Sequence, residues 1–324
     1  MAHPRARALL AHHVALAPLF PSLLRPHCRP QSTSGPVLHQ QPTVRSLLAS
    51  ITEQFQAGTV PEPELSAKYL LSHVLGADQA HEHEQHLEEQ LDQQQELQLA
   101  ALVQCRLARM PVQYLLGSWD FHSITLAVRP PVFLPRPETE ELVELVLARL
   151  PPGPCSVLEI GPGTGAISLA LLSARQDLTV TAVERSSAAV ELTRHNAARL
   201  GLEDRITVIH ERVEKVELAG TFTVVVSNPP YVLRADLPKL APEIHVYEDL
   251  RALDGGPEGL DVILPILELS ASLLEDRQTG FVALEVDPCH ALLLPPRLDT
   301  FYAAETVKDF NDKDRFMVMR LKPL

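Results

Sequence analysis

Two hydrophobic periods divide this chain. Between residues 44 and 110, apolar side chains recur every three or four positions. They are Val44, Leu47, Leu48, Ile51 and Phe55, then Ala67, Leu70, Leu71, Val74 and Leu75, then Leu87, Leu91, Leu102 and Cys105. That spacing predicts helices with one buried face each, hence a small helical bundle over 44–110. The Gln/Glu-rich stretch from Glu82 to Gln98 suits an exposed helix face. Over 111–135 the pattern changes to PVQYLLGSWDFHSITLAVRPPVFLP, rich in aromatic and β-branched residues and broken by Gly and Pro. This predicts a β-hairpin linker.

From Arg136 onward, apolar runs of strand length alternate with helical patterns. ELVELVLARL predicts a helix, and CSVLEI (155–160) a buried strand. AISLALLSA predicts a helix, LTVTAVE (178–184) a strand, and AAVELTRHNAARLG a helix. RITVIH (205–210) and FTVVVS (222–227) predict two more strands. Residues 259–275 predict a helix, FVALEV (281–286) a fifth strand, and 301–308 with 315–321 a closing pair. Such alternation predicts an α/β domain over 136–324, a mostly parallel sheet wrapped by helices. Right-handed crossovers gather the strand C-termini on one edge, where ligands bind.

Charge changes the picture at the N-terminus. Residues 1–52 hold no Asp or Glu, and their basic residues are Arg5, Arg7, Arg25, Arg29 and Arg45, with no Lys. An Arg-rich, acid-free arm reads as a mitochondrial transit peptide, assigned here to 1–43. Setting the five arginines aside leaves 23 of the 28 basic residues against 41 acids, a net charge of −18. That disfavours a protein that holds nucleic acid by neutralising phosphates. No apolar run is long enough to span a bilayer, and a monomer without membrane contact is expected. Cys28, Cys105, Cys155 and Cys289 are scattered without metal or redox spacing, which reads as reduced thiols. The run HEHEQH (81–86) resembles a metal site only superficially. Its Gln and Glu neighbours favour a solvated helix start, and no metal is expected.

Three motifs fall at predicted strand C-termini. In EIGPGTG (159–165), Gly161, Gly163 and Gly165 let the backbone turn sharply and approach a ligand, and the following helix offers unpaired N–H groups. Glu184 ends the next strand, where an acid can accept both ribose hydroxyls. Together they fit NAD and S-adenosylmethionine equally. In the third motif, Asn228-Pro229-Pro230-Tyr231, the prolines fix φ and remove two N–H donors. The corner therefore presents acceptors, the Asn228 side chain and the Pro229 carbonyl, to an incoming –NH2 group. Tyr231 offers a flat face for a planar amide or base.

With these motifs in order, the chain resembles the HemK/PrmC-type protein-(glutamine N5) methyltransferases of peptide-chain release factors, and their mitochondrial branch most closely. The resemblance runs from about residue 45 to 324. It is carried by SAKYLLSHVLG (66–76), PVQYLLGSWDF (111–121), LPRPETEELVE (134–144), EIGPGTGAISLAL, HNAARLGL (195–202), SNPPYV, ALDGGPEGLD (252–261) and KDFNDKDRF (308–316). It implies a class I methyltransferase fold: a seven-stranded, mostly parallel sheet with an antiparallel closing strand. It implies S-adenosylmethionine as donor, held by Gly161, Pro162, Gly163, Thr164, Gly165, Glu184, Val213 and Asn228, with Arg136, Pro137 and Thr139 shaping the donor pocket. Asn228, Pro229, Pro230 and Tyr231 would hold the glutamine of a Gly-Gly-Gln motif in mitochondrial release factors. The helical bundle would dock that substrate. The chain departs from the family at Glu184, usually Asp, and at Arg212, which stands where an acid often follows the third strand. It also departs at Asn311–Lys313, where Gly is commoner. The readings left beside it are an N6-adenine methyltransferase, since NPPY suits any planar –NH2 group, and a non-catalytic factor on the same fold. A NAD-dependent oxidoreductase ranks third, because it gives SNPPY no role.

Overall fold

The computed structural model describes residues 41–76, 82–276, 278–298 and 300–323. The proposed transit arm lies outside them except for its last three residues. The described residues form two compact units, those up to Thr59 with Pro63–Leu107, and Val60–Glu62 with Ala108 onward. None of the described helices is long and apolar enough to cross a membrane.

The first unit is helical: α1 (Val44–Ala57), α2 (Pro63–Val74) and α3 (Gln93–Leu107). Val44, Ile51, Phe55, Leu70, Leu71 and Leu102 are buried, as their spacing predicts. Thr43 caps α1 by accepting from the Ser46 N–H. Two expectations fail. The Glu82–Gln98 stretch is not one helix, because α3 starts only at Gln93 and Glu82–His86 is a 3-10 turn. Asp92 and Gln95 exchange side-chain-to-backbone hydrogen bonds of 2.8 and 2.9 Å, a reciprocal cap that starts the helix there. Leu87 and Leu91 therefore precede the helix. The His-rich run is not wholly solvated either, since His83 is buried.

The second unit opens with α4 (Val112–Leu116), then β1 (Ser118–Phe121) and β2 (Ile124–Ala127). The expected hairpin is thus confined to 118–127. Gly117 ends α4 in the left-handed region and the hairpin begins after it. There follow α5 (Pro137–Leu147), β3 (Cys155–Ile160), α6 (Ala166–Ala174), β4 (Leu178–Glu184), α7 (Ser187–Leu200), β5 (Ile206–His210) and β6 (Val224–Ser227). The chain continues with α8 (Pro242–Tyr247), α9 (Ile263–Leu273), β7 (Phe281–Glu285), α10 (His290–Leu293), α11 (Pro295–Leu298), β8 (Tyr302–Lys308) and β9 (Asp314–Leu321). The 222–227 strand begins at Val224, because Phe222 bonds instead to Leu273 and Glu275. The helix expected over 259–275 is trimmed at both ends to α9. The helix expected over ELVELVLARL starts earlier, at Pro137, and α4, α8, α10 and α11 lie where the pattern predicts no helix.

Seven strands form one sheet in the order β5-β4-β3-β6-β7-β9-β8. The first five are mutually parallel and β9 runs antiparallel to both its neighbours. This is the class I methyltransferase fold. Strand alternation builds two cores, one per face. Val157, Val224, Val226, Phe281 and Ala283 pack towards α5, α6 and α7. Leu158, Val225, Val282 and Leu284 pack towards α9 and α11. Burial on both faces is why these strands read as continuous apolar runs. Strand order reverses beside β3, which has β4 on one side and β6 on the other, so a crevice opens at their C-terminal ends.

Candidate active site

That crevice is a cleft of about 1070 Å³, counted with its open mouth. Its walls come from the C-terminal ends of four adjacent strands: Gly161–Thr164 after β3, Glu184 at the end of β4 with Arg185 and Ser186, Glu211–Glu214 after β5 and Asn228–Pro230 after β6.

The β3–β4 wall is a backbone cradle. Gly161 and Gly163 have φ of 74° and 59°, and a Cβ on either would meet nothing within 4 Å. The loop thus adopts a conformation open to glycine and leaves ligand space above its peptide groups. Glu184 holds the loop in place, its Oε2 accepting from the Gly163 N–H at 3.2 Å and its Oε1 from the Ser186 N–H at 2.8 Å. Burial pushes its carboxyl up, against the opposing pull of those N–H groups. Below the loop, Glu159 is fully buried in β3. Its Oε2 accepts from the Ser168 N–H and hydroxyl, while its buried Oε1 has no hydrogen-bond partner, and the residue lines the cleft. Burial pushes its pKa up to about 7. A buried carboxylate oxygen with no donor suits a cationic ligand. An open glycine cradle, an acid at the end of β4 and this orphan oxygen fit S-adenosylmethionine, whose methionine end carries an ammonium group.

The β6 wall is stiffer and more distantly supported. The Ser227 hydroxyl donates to the Ile160 carbonyl at 2.6 Å and ties the end of β6 to β3. Asn228 Nδ2 then donates to Thr139 Oγ1 at 3.0 Å. Thr139 Oγ1 in turn donates to Glu285 Oε2 at 2.7 Å, and the Tyr231 hydroxyl donates to Glu285 Oε1 at 3.0 Å. The backbone of 232–234 is bonded to the ALDGGPEGLD loop: Val232 N–H to Leu253, Gly255 N–H to Val232, and Arg234 N–H to Gly256, each 2.9 Å. A Cβ on Gly255 would lie 2.8 Å from both the Pro230 carbonyl oxygen and Tyr231 Cα. Only glycine allows that approach.

The sequence-predicted residues separate into two groups. Gly161, Pro162, Gly163, Thr164, Glu184, Val213, Asn228, Pro229, Pro230 and Thr139 line the cleft. Gly165, Arg136, Pro137 and Tyr231 do not. Gly165 is the left-handed N-cap of α6, packed on Leu169 and Thr193. Pro137 is at the start of α5, after the N-cap Arg136. Arg136 pairs with buried Glu248 at 2.7 Å and lies over the Phe133 ring, which does line the cleft. Tyr231 packs against the second core, so its ring is not an open platform. Arg212 lines the cleft, but its guanidinium turns to Glu214 at 3.2 Å and its N–H is held by Glu211.

Sequence reasoning missed Glu159 and Glu285. Each is a lone acid inside an apolar strand, in CSVLEI and FVALEV. An acid in a strand buried on both faces requires polar partners, and that was the available signal.

Comparison with known proteins follows the same division of the chain. The model of the PrmC N-terminal domain matches residues 46–117, and that of the methyltransferase small domain matches 131–245. The chain is 44% identical over 293 residues to the human MTRF1L release factor glutamine methyltransferase, covering 85% of this chain and 86% of that protein. It is 36% identical over 275 residues to the release factor glutamine methyltransferase of Escherichia coli (strain K12), covering 84% and 97%. A methyltransferase of solved structure from Pyrococcus furiosus superimposes with a TM-score of 0.45 at 20% identity, over 61% of this chain and 89% of that one.

Proposed function

We infer the reaction from one premise: this chain belongs to the family of release factor glutamine methyltransferases. The protein is an S-adenosylmethionine-dependent methyltransferase. Its proposed substrate is the glutamine side-chain amide in the Gly-Gly-Gln motif of mitochondrial release factors, methylated on N5. The observation that carries this reading is the Asn228 corner, an acceptor-rich and donor-poor turn beside the cleft. The acid-free arm supports import into the mitochondrion and action in the matrix. The helical segment 44–110 is proposed to dock the release factor.

An amide nitrogen is a weak nucleophile because its lone pair is delocalised into the carbonyl. When bound, S-adenosylmethionine supplies a methyl group made electrophilic by its sulfonium. Gly161, Gly163 and Glu184 would hold the donor, and Glu159, whose Oε1 has no hydrogen-bond partner, would favour its cationic end. Asn228 Oδ1 and the Pro229 carbonyl accept the two N–H bonds of the glutamine amide. This localises the lone pair, aims it, and stabilises positive charge as the N–C bond forms and the donor's S–C bond breaks; the methylated nitrogen then releases one proton to solvent and returns to a neutral amide. Pro229 and Pro230 cannot donate, so the corner offers no competing N–H group there. The test is incubation of the chain lacking residues 1–43 with labelled S-adenosylmethionine and an intact mitochondrial release factor. One added methyl on the Gly-Gly-Gln glutamine, seen by mass spectrometry, is the expected result. Methyl transfer to adenine in nucleic acid, with none to the release factor, would overturn it.

A further inference from the structure

We propose that Glu285 decides which end of the Asn228 amide faces the substrate, acting through the Thr139 hydroxyl. The proposal rests on the reading of Asn228 as the acceptor for the glutamine amide and deepens it.

The number of available protons fixes the orientation. A carboxylate accepts and cannot donate. Glu285 is 1% exposed and receives the Thr139 hydroxyl on one oxygen and the Tyr231 hydroxyl on the other. Thr139 has one hydroxyl proton, and it is spent on Glu285. Its oxygen therefore faces Asn228 only as an acceptor. Asn228 meets an acceptor with its –NH2 end, and Nδ2 donates to Thr139 at 3.0 Å. Oδ1 is left as the amide's acceptor. The β6–β7 register, Ser227 opposite Leu284, sets Asn228 beside Glu285. Thr139 reaches both from the first turn of α5. Three segments distant in sequence thus define one amide orientation.

The chain of bonds has a second state. If Glu285 takes a proton from solvent on its Thr139-facing oxygen, it becomes the donor in that bond. The Thr139 proton must then turn to Asn228, which meets it with Oδ1. The amide is reversed and presents –NH2 to a substrate that itself needs an acceptor. The groups facing Glu285 are Thr139 and Glu138 on α5, Tyr231 after β6 and Arg315 on β9. Burial raises the Glu285 carboxyl. The two hydroxyls and the Arg315 charge oppose that, and Glu138 adds to it. A raised carboxyl makes the active, ionised form the one lost as pH falls.

Thr139→Val keeps the shape and removes both the donor and the acceptor, while Thr139→Ser restores both. With donor and release factor saturating, Thr139→Val is expected to lower kcat roughly tenfold, the factor expected for one misdirected hydrogen bond. Thr139→Ser recovers most of the turnover. In the wild type kcat falls on the acid side, and in Thr139→Val that limb is lost. A readout free of the substrate is the side-chain amide of Asn228 in the nitrogen-15 spectrum. Its protons cross-relax with the Thr139 methyl at neutral pH and lose that contact in acid. Wild-type turnover and acid limb in Thr139→Val would overturn the proposal, as would an Asn228 amide spectrum unchanged by pH. A wild type that fails to methylate the release factor but keeps the amide signature would sink the substrate reading and leave this one supported.

Discussion

The two walls of the cleft are built in opposite ways. The donor wall is local: Glu159, the glycine loop and Glu184 lie within 26 residues, and backbone N–H groups make its main bonds. The Asn228 wall is assembled from afar. Thr139 is 89 residues away from Asn228, and Glu285 is 54 residues from Tyr231. A cradle made of consecutive backbone groups binds a ligand common to many reactions. A corner braced by three distant segments is set to a single geometry, which is what transfer to a weak nucleophile requires.

The sharpest way to separate the walls is Asn228→Ala. It is expected to lower turnover by about 10²–10³-fold, as loss of a preorganised polar group does, with melting temperature little changed. Next comes Gly255→Ala. Its methyl would press on the Pro230 carbonyl and Tyr231 Cα, moving the corner and not the cradle. Turnover should fall by roughly 10²-fold, the effect of misplacing a reacting group by about 1 Å. A crystal structure of the variant would show the shift.

These contrasts explain what could be read in advance. Strands β3 and β4 and helix α6 lie where their apolar runs predict, because burial on both faces and a glycine turn leave a clear local signature. The SNPPY corner was legible for the same reason, since two prolines dictate its conformation. Thr139 was expected to shape the donor pocket, yet its bonds run to Asn228 and Glu285. Nothing in PRPETEE reveals that, because the link depends on α5 meeting the ends of β6 and β7. Tyr231 was expected as an open platform, but its hydroxyl is drawn to a buried acid that local sequence does not pair with it. The early start expected for α3 from Leu87 and Leu91 is not found, because the reciprocal Asp92–Gln95 cap begins the helix at Gln93.

The donor wall carries its own pH signature. Glu159 without ligand has a pKa of about 7 against an ordinary value of 4.5. The folded state holds its proton more tightly than the unfolded chain. The associated stability is therefore full below pH 4.5 and lost as pH rises through 7. Glu159→Gln removes that loss. At pH 8 the ligand-free variant should exceed the wild type by roughly 3 kcal/mol in denaturant unfolding, with the gap closing near pH 4.5. An equal gap at both pH values would mean that burial does not strain this carboxyl. The smallest effect is expected from Arg212→Ala. Its guanidinium is exposed and paired with Glu214, so donor affinity should change by less than about twofold.

The most direct test of the division of labour measures two quantities on one variant. Donor affinity by calorimetry and single-turnover methylation of the release factor would be compared for Asn228→Ala and the wild type. The account predicts a donor Kd within about threefold and methyl transfer slowed by about 10²-fold or more. A variant that loses donor binding in step with transfer, or that transfers at the wild-type rate, would contradict it.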